Sequence, residues 1–481
     1  MVETYLNYVG NQWKPCRSGA TFENENPANH GGTLGCFQSS TAEDVTEAIG
    51  VAADAFARWR RTPLTERQHF VSEFLRLLKE TRNELARIVT LENGKTIRES
   101  RAEVDSALVE GSHHLNQVST FYSHTGPGSL RDITTWVQYQ PVGVVGVISP
   151  WNFPMNVMCR KTLPALLTGN TVVFKPASFT PWSGVFMAQL FERAGLPAGV
   201  FNCITGSGSS IGNVIVQDPR VRAISFTGST EVGKKIQVKA AANLTRTQLE
   251  LGGKNALIVM DDADIDKAVD AAMTAGFACA GQWCTSTSRI LVHHAIAKAF
   301  LDKLVARCNM MVVDDGLSET TDMGPVAGPQ QYHDISAAIE KAKAEGAQMV
   351  AGSESPHVTH GYFIRPTVYA NVTPDMSVFQ EEIFGPVLAV TEFGSLSEAL
   401  DMANNSIYGL SSAIFTRDIT TARAYIDGVE AGLAHVNLHT GYKEPGLPFG
   451  GFKQSGSGLP ENSESGLEFF VDRKAVYLKG A

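Results

Sequence analysis

No run of apolar side chains in this sequence is long enough to cross a bilayer. The longest, residues 142–148, spans seven residues and is broken by glycines, against roughly 20 for a spanning helix. The opening MVETYLNYVGNQW carries neither the basic start nor the apolar core of a secretory signal, so a cytoplasmic location is expected and no membrane partner. Seven cysteines in 481 residues form no CxxC pair and have no histidines at metal spacing. That excludes a small disulfide-stapled scaffold and gives no reason to expect a metal. Positive charge is also short: 40 Lys and Arg against 49 Asp and Glu leave a formal charge of -9, without a basic run. A nucleic-acid partner is therefore not expected.

What is present suits two or three folded domains, with 43% hydrophobic and 19% charged residues and no internal repeat. Thr41 and Asp44 read as a capping box ahead of Val45, Ile49, Ala52 and Phe56, and a second helix follows Pro63 with Phe70, Phe74, Leu77 and Leu78 on its core face. From Thr135 the pattern changes to short β-rich runs: TWVQYQ, VGVVGVI, TVVFK, GVFNCIT, RAISFTG and NALIVM. Helical stretches at 183–194 and 230–242 separate the later runs, as βαβ units on a parallel sheet require. A second alternating set runs from Asp264 to Phe449, with helices expected at 265–279 and 295–308. Two α/β domains follow, with a last strand at 475–479.

Several segments could carry chemistry. TGSGSSIG, with Gly206, Gly208 and Gly212, lacks the GxGxxG spacing and is equally well a simple turn. In Phe226–Gly233 (FTGSTEVG) a strand ends, Gly228 lets the backbone approach, and Ser229 precedes a helix N-terminus, which is an anion site on physical grounds. Lys175 ends an apolar strand at the edge where a cofactor meets a parallel sheet. Cys284, in FACAGQWCTSTSR, is a nucleophile or an inert buried thiol on spacing alone. Glu250 in ELGGK is a general base or a solvated turn carboxylate, and Asn152, between Pro150 and Pro154, suits donation to an oxyanion.

PWNFP, FKPA, FTGSTEVG, ELGGK, GQWC, EEIFGPV and LPFGGFKQSG, with LENGK at 91–95, occur in an order that resembles the aldehyde dehydrogenase superfamily across nearly the whole chain. The motifs are most similar to those of succinate-semialdehyde and 2-oxoglutarate-semialdehyde dehydrogenases. The resemblance implies an α/β fold with a Rossmann-like cofactor domain (1–121 and 142–252), an α/β catalytic domain (253–452) and a small β oligomerisation segment (122–141 and 453–481) that makes homodimers or homotetramers. It makes Cys284 the nucleophile, Asn152 with the Cys284 backbone N–H the oxyanion hole, and Glu250 the base that hydrolyses a thioester. Lys175 would hold the adenosine ribose, Gly228 and Ser229 the pyrophosphate, and Glu382 and Phe384, with Trp151, the nicotinamide end. Glu464 matches a carboxylate used as a proton relay, or is a salt-bridge partner.

Ser178 stands where NAD-preferring relatives usually carry Glu, so NADP is expected, with NAD also possible. Arg160 matches the arginine that succinate-semialdehyde dehydrogenases use for the distal carboxylate, and it is expected to point into the substrate tunnel. The chain departs from that subgroup at Ala278, where a second arginine is missing, and in the loop carrying His439, Tyr442 and Lys443. An acid semialdehyde, succinate or 2-oxoglutarate semialdehyde, is the expected substrate. Trp283 beside the nucleophile, with Phe153 and Met158 near in sequence, keeps an aromatic aldehyde as the alternative. A coenzyme-A-acylating relative would not need Glu250, and a non-catalytic scaffold would not need Cys284, Asn152 and Glu250 together.

Overall fold

The computed structural model describes residues 2–121, 125–130, 132–352 and 360–479. Its first sheet runs in the order Gln12–Lys14, Asn7–Val9, Phe201–Cys203, Thr171–Lys175, Val144–Ile148, Val221–Thr227, Arg246–Glu250, Gly456–Ser457. The five strands from Phe201–Cys203 to Arg246–Glu250 are mutually parallel. Val144–Ile148 and Thr171–Lys175 are buried at every position, as strands covered on both faces must be. Side chains alternate between the faces. Val145, Val147, Val172 and Phe174 pack with Phe74 and Phe191, while Val144, Ile148 and Val173 pack with Val45 and Ile49. The helix Ala42–Trp59 begins at the expected capping box, Thr41 N–H donating to Asp44 Oδ2 at 2.8 Å.

Chain order reverses between Val144–Ile148 and Val221–Thr227, each of which continues the sheet in opposite directions. A crevice forms outside the carboxyl ends of strands at such a switch point. The segments leaving these strands there are Ser149–Asn152 and Gly228–Thr230.

A second sheet of seven strands uses residues from Asn255 to Val436, parallel apart from Gln348–Ala351 on its edge. Between Arg246–Glu250 and Asn255–Val259 the chain passes from one sheet to the other through Leu251–Lys254. A third sheet is an antiparallel ribbon of Thr125–Pro127, Ile133–Pro141 and Val471–Lys479. The boundary expected after residue 121 falls at 122–124, outside the described residues. Within the expected tail segment, Gly456–Ser457 pairs with Arg246–Glu250 and so completes the first sheet.

The helix expected over 265–279 ends at Phe277. Cys279, Ala280 and Gly281 follow with φ of 52°, 54° and 68°, a left-handed run that non-glycine residues rarely adopt. At Gly281 a Cβ would lie 2.2 Å from the Gly385 carbonyl oxygen, so only glycine fits the turn. This turn leads directly into Cys284.

Candidate active site

Cys284 is partly exposed between that turn and the strand Thr287–His293. Its carbonyl accepts from Asn255 Nδ2 at 2.8 Å, and Gly253 packs so close that a Cβ there would stand 2.6 Å from the same oxygen. The ELGGK glycines thus bring the end of Arg246–Glu250 against the Cys284 backbone. Burial pushes the Cys284 thiol up to about 12, while the charges of Arg160 and Lys443 pull it down. Ionising this thiol calls for a nearby proton acceptor or positive charge.

Asn152 is buried, and its Nδ2 donates to the Gln282 carbonyl at 3.0 Å, which aims the amide at the nucleophile turn. Its own carbonyl accepts from Lys95 Nζ at 2.6 Å, and the same ammonium lies 4.0 Å from the Phe153 ring centre. Lys95 is paired with Glu103 at 2.7 Å, and Glu103 accepts the backbone N–H groups of Met155 and Asn156 at 2.9 and 3.1 Å. A buried ion pair therefore holds both ends of the Asn152 turn. The sequence showed LENGK as a motif but not this task.

Glu250 is buried at its strand end, and its Oε2 has no hydrogen-bond partner among the described residues. Burial, and then the charge of Glu461, hold its carboxyl well above the usual range. A cavity lined by Gly432, Gly450, Gly451, Gly456 and Gly458 opens beside it, room for the water such a base would activate.

Two sequence expectations are corrected here. Glu464 is exposed in the first turn of Ser463–Glu468, because Asn462 and Ser463, at φ 58° and 48°, turn the chain outward. The buried carboxylate whose charge reaches Glu250 is Glu461, three residues earlier, which is paired with Lys161 and with Arg160. Arg160 is held chiefly by protein groups, which take four of its five N–H donors. It lies in Asn156–Leu167, a helix buried at every position, and makes four hydrogen bonds: to Glu110 at 2.8 and 3.1 Å, to Asn156 at 2.8 Å and to Glu461 at 3.3 Å. Its guanidinium also lies 4.6 Å from the Phe449 ring centre. Two adjacent cations in an otherwise apolar helix were the available signal that buried carboxylates lie opposite.

Trp283 is half-buried, 5.7 Å from Phe153 and 6.3 Å from His439 between ring centres. Gly441 leaves room for the Trp283 ring, since a Cβ there would come within 2.4 Å of it. These rings form one aromatic wall beside the nucleophile.

The residues expected at a nicotinamide cofactor fit such a group. Lys175 is buried with one partner, the Pro176 carbonyl at 2.9 Å, and burial lowers it to about 8, leaving N–H donors for ribose hydroxyls. Ser229 caps Thr230–Ala240 and so presents a helix N-terminus to a pyrophosphate. Glu382 accepts from Gly253 N–H at 2.9 Å, and burial pushes it up to about 7. Phe384, at φ 55°, sets its ring edge-on to Trp151 at 5.4 Å. Ser178 Oγ donates to the Gly206 carbonyl at 3.2 Å, which ties it to the GSGS turn. No helix among the described residues is long and apolar enough to cross a membrane.

The aldehyde dehydrogenase family model matches residues 13–476. The alpha-ketoglutaric semialdehyde dehydrogenase of Bacillus subtilis (strain 168) is 39% identical over 479 residues, covering 99% of this chain and 98% of the relative. The alpha-ketoglutarate semialdehyde dehydrogenase of Haloferax volcanii is 39% identical over 482 residues, covering 99% of each. Among solved structures, an NAD-dependent aldehyde dehydrogenase from Sinorhizobium meliloti superposes with a TM-score of 0.97 at 34% identity, covering 99% of this chain and 95% of that one. An NADP-dependent enzyme of E. coli gives 0.96 at 33% identity, with 99% and 98% covered.

Proposed function

The chain belongs to the aldehyde dehydrogenase family, and from that premise we propose that it oxidises an acid semialdehyde, succinate or 2-oxoglutarate semialdehyde, through a thioester on Cys284. The observation that carries this is the convergence of Cys284, the Asn152 amide and Glu250 around one turn. Cys284 gives its proton to water, the charges of Arg160 and Lys443 favouring the thiolate; Sγ then attacks the aldehyde carbon, and Asn152 Nδ2 with the Cys284 backbone N–H donates to the oxyanion of the thiohemiacetal. Bound nicotinamide dinucleotide supplies the hydride acceptor. Glu250 then takes a proton from water as the water attacks the thioester carbon, and the carboxylate product leaves with Cys284 restored. The relatives named for alpha-ketoglutaric semialdehyde support the substrate class, as do the cations around Glu110. The wall of Phe153, Trp283 and His439 favours the second reading, an aromatic aldehyde. Rates on both semialdehydes and on benzaldehyde decide between them.

NADP is the proposed cofactor, with NAD also accepted, because Ser178 places no negative charge where a 2′-phosphate would sit. Ser178→Glu is expected to raise the KM for NADP by roughly tenfold more than that for NAD, since a carboxylate repels the phosphate. Equal rises for both would place the adenosine end elsewhere.

Glu461 is proposed to set the pH dependence of hydrolysis. Its negative charge raises Glu250, so Glu461→Gln removes that influence and leaves Lys161 unpaired nearby. Both changes favour ionised Glu250, and the acid limb of kcat is expected to move to lower pH. A shift to higher pH would contradict the assignment.

Among the described residues the strand Val471–Lys479 is paired on one side only, to Ile133–Pro141, with Tyr477 and Leu478 exposed. An uncovered edge of this kind supports assembly into homodimers or homotetramers.

A further inference from the structure

Three cations, Arg160, Lys161 and Lys443, share two paired carboxylates, Glu110 and Glu461, beside Cys284. Glu250, the remaining carboxyl nearby, forms no ion pair with these cations among the described residues, and burial and the charge of Glu461 hold it above the usual carboxylate range. Three cations against two paired carboxylates leave one positive charge without a carboxylate of its own, which favours an anionic ligand. The side chains differ in access: Arg160 is 4% exposed, Lys161 0% and Lys443 24%. Arg160 is held by four hydrogen bonds. Lys443 makes two, to Glu110 and to Asn156 Oδ1 at 2.8 Å, and an ammonium has three donors. Glu110 would keep both Arg160 bonds if Lys443 turned away.

Resting on the aldehyde-oxidising reading above, we infer that Lys443 is the residue that takes the distal carboxylate of the substrate, with Arg160 and Glu110 holding it in place. Lys443 sits in the loop that also carries His439 and Tyr442, and that loop packs on Trp283 through Gly441. Trp283 immediately precedes Cys284, so this packing brings the loop of Lys443 to the nucleophile turn. Burial and Arg160 pull Lys443 below an ordinary lysine, the strain that a bound carboxylate would relieve. The ligand class is an aldehyde whose far end is an anion.

The test is the ratio of kcat/KM for succinate or 2-oxoglutarate semialdehyde to that for an uncharged aldehyde of similar length, such as butanal or pentanal. Because Lys443 also lowers the Cys284 thiol, its loss slows every substrate, and the ratio cancels that part. Lys443→Gln is expected to lower the ratio roughly ten- to a hundredfold, and Lys443→Arg to restore most of it. Independently of turnover, glutarate should protect Cys284 from iodoacetamide in the unaltered protein and not in Lys443→Gln. A ratio unchanged in Lys443→Gln, with the unaltered enzyme still preferring acid semialdehydes, overturns the Lys443 assignment alone. If the unaltered enzyme shows no such preference, the substrate class and the anchor fall together.

Discussion

Cys284→Ala is expected to reduce formation of reduced cofactor by more than about 10⁴-fold on every aldehyde, the scale on which covalent enzymes respond to loss of the nucleophile. The reason is chemical rather than a matter of folding. Hydride leaves only from a carbon already carrying an alkoxide, and the other thiol of this turn, Cys279, is buried where Cys284 is partly exposed. Alanine fits the site, because it is the smaller side chain and the contacts that position the residue run through its backbone to Asn255 and Gly253. Thermal stability should therefore change little while activity disappears. Stopped-flow absorbance of the reduced nicotinamide is the measurement, and ordinary turnover by the variant would end the covalent account.

Glu250→Gln is expected to separate the two halves of the reaction. The first turnover should still release one equivalent of reduced cofactor per active site, since attack and hydride loss use Cys284 and Asn152. Steady-state turnover should fall by roughly 10² to 10⁴-fold, the usual contribution of a general base. The residue is isosteric and its Oε2 has no hydrogen-bond partner among the described residues, so the amide costs little packing. In the unaltered enzyme the raised carboxyl of Glu250 is protonated at low pH and becomes a base as pH rises, so kcat should climb with pH through that ionisation. The variant should lose this climb. A variant without the burst but with normal hydrolysis of a preformed thioester would assign Glu250 to the first half instead.

Much of this arrangement is written in local sequence. The strands at 144–148 and 171–175 are legible as short β-rich runs, and the Thr41 capping box as a pair of residues three apart, because both depend on neighbours in the chain. The motif residues Cys284, Asn152 and Glu250 are legible for the same reason. The charge network is not. Glu110, Arg160, Lys161, Lys443 and Glu461 come from four distant segments, and which carboxylate meets which cation is decided by a helix packed on all sides. Hence Arg160 looked like a free anchor, when tertiary packing commits it to Glu110. Glu464 looked like the second carboxylate because two left-handed residues, Asn462 and Ser463, cannot be foreseen from composition. The role of Lys95 and Glu103 in holding Asn152 is hidden likewise, since the pair acts across 57 residues from Lys95 to the Asn152 carbonyl.

The central claim, a thioester on Cys284, is tested most directly by mass spectrometry of Glu250→Gln mixed with cofactor and succinate semialdehyde, then quenched in acid. Slow hydrolysis should leave the succinyl group on the protein at about one per chain, and digestion should place it on the peptide containing Cys284. Release of one equivalent of reduced cofactor without any acyl adduct, or with the adduct on another residue, would contradict the account.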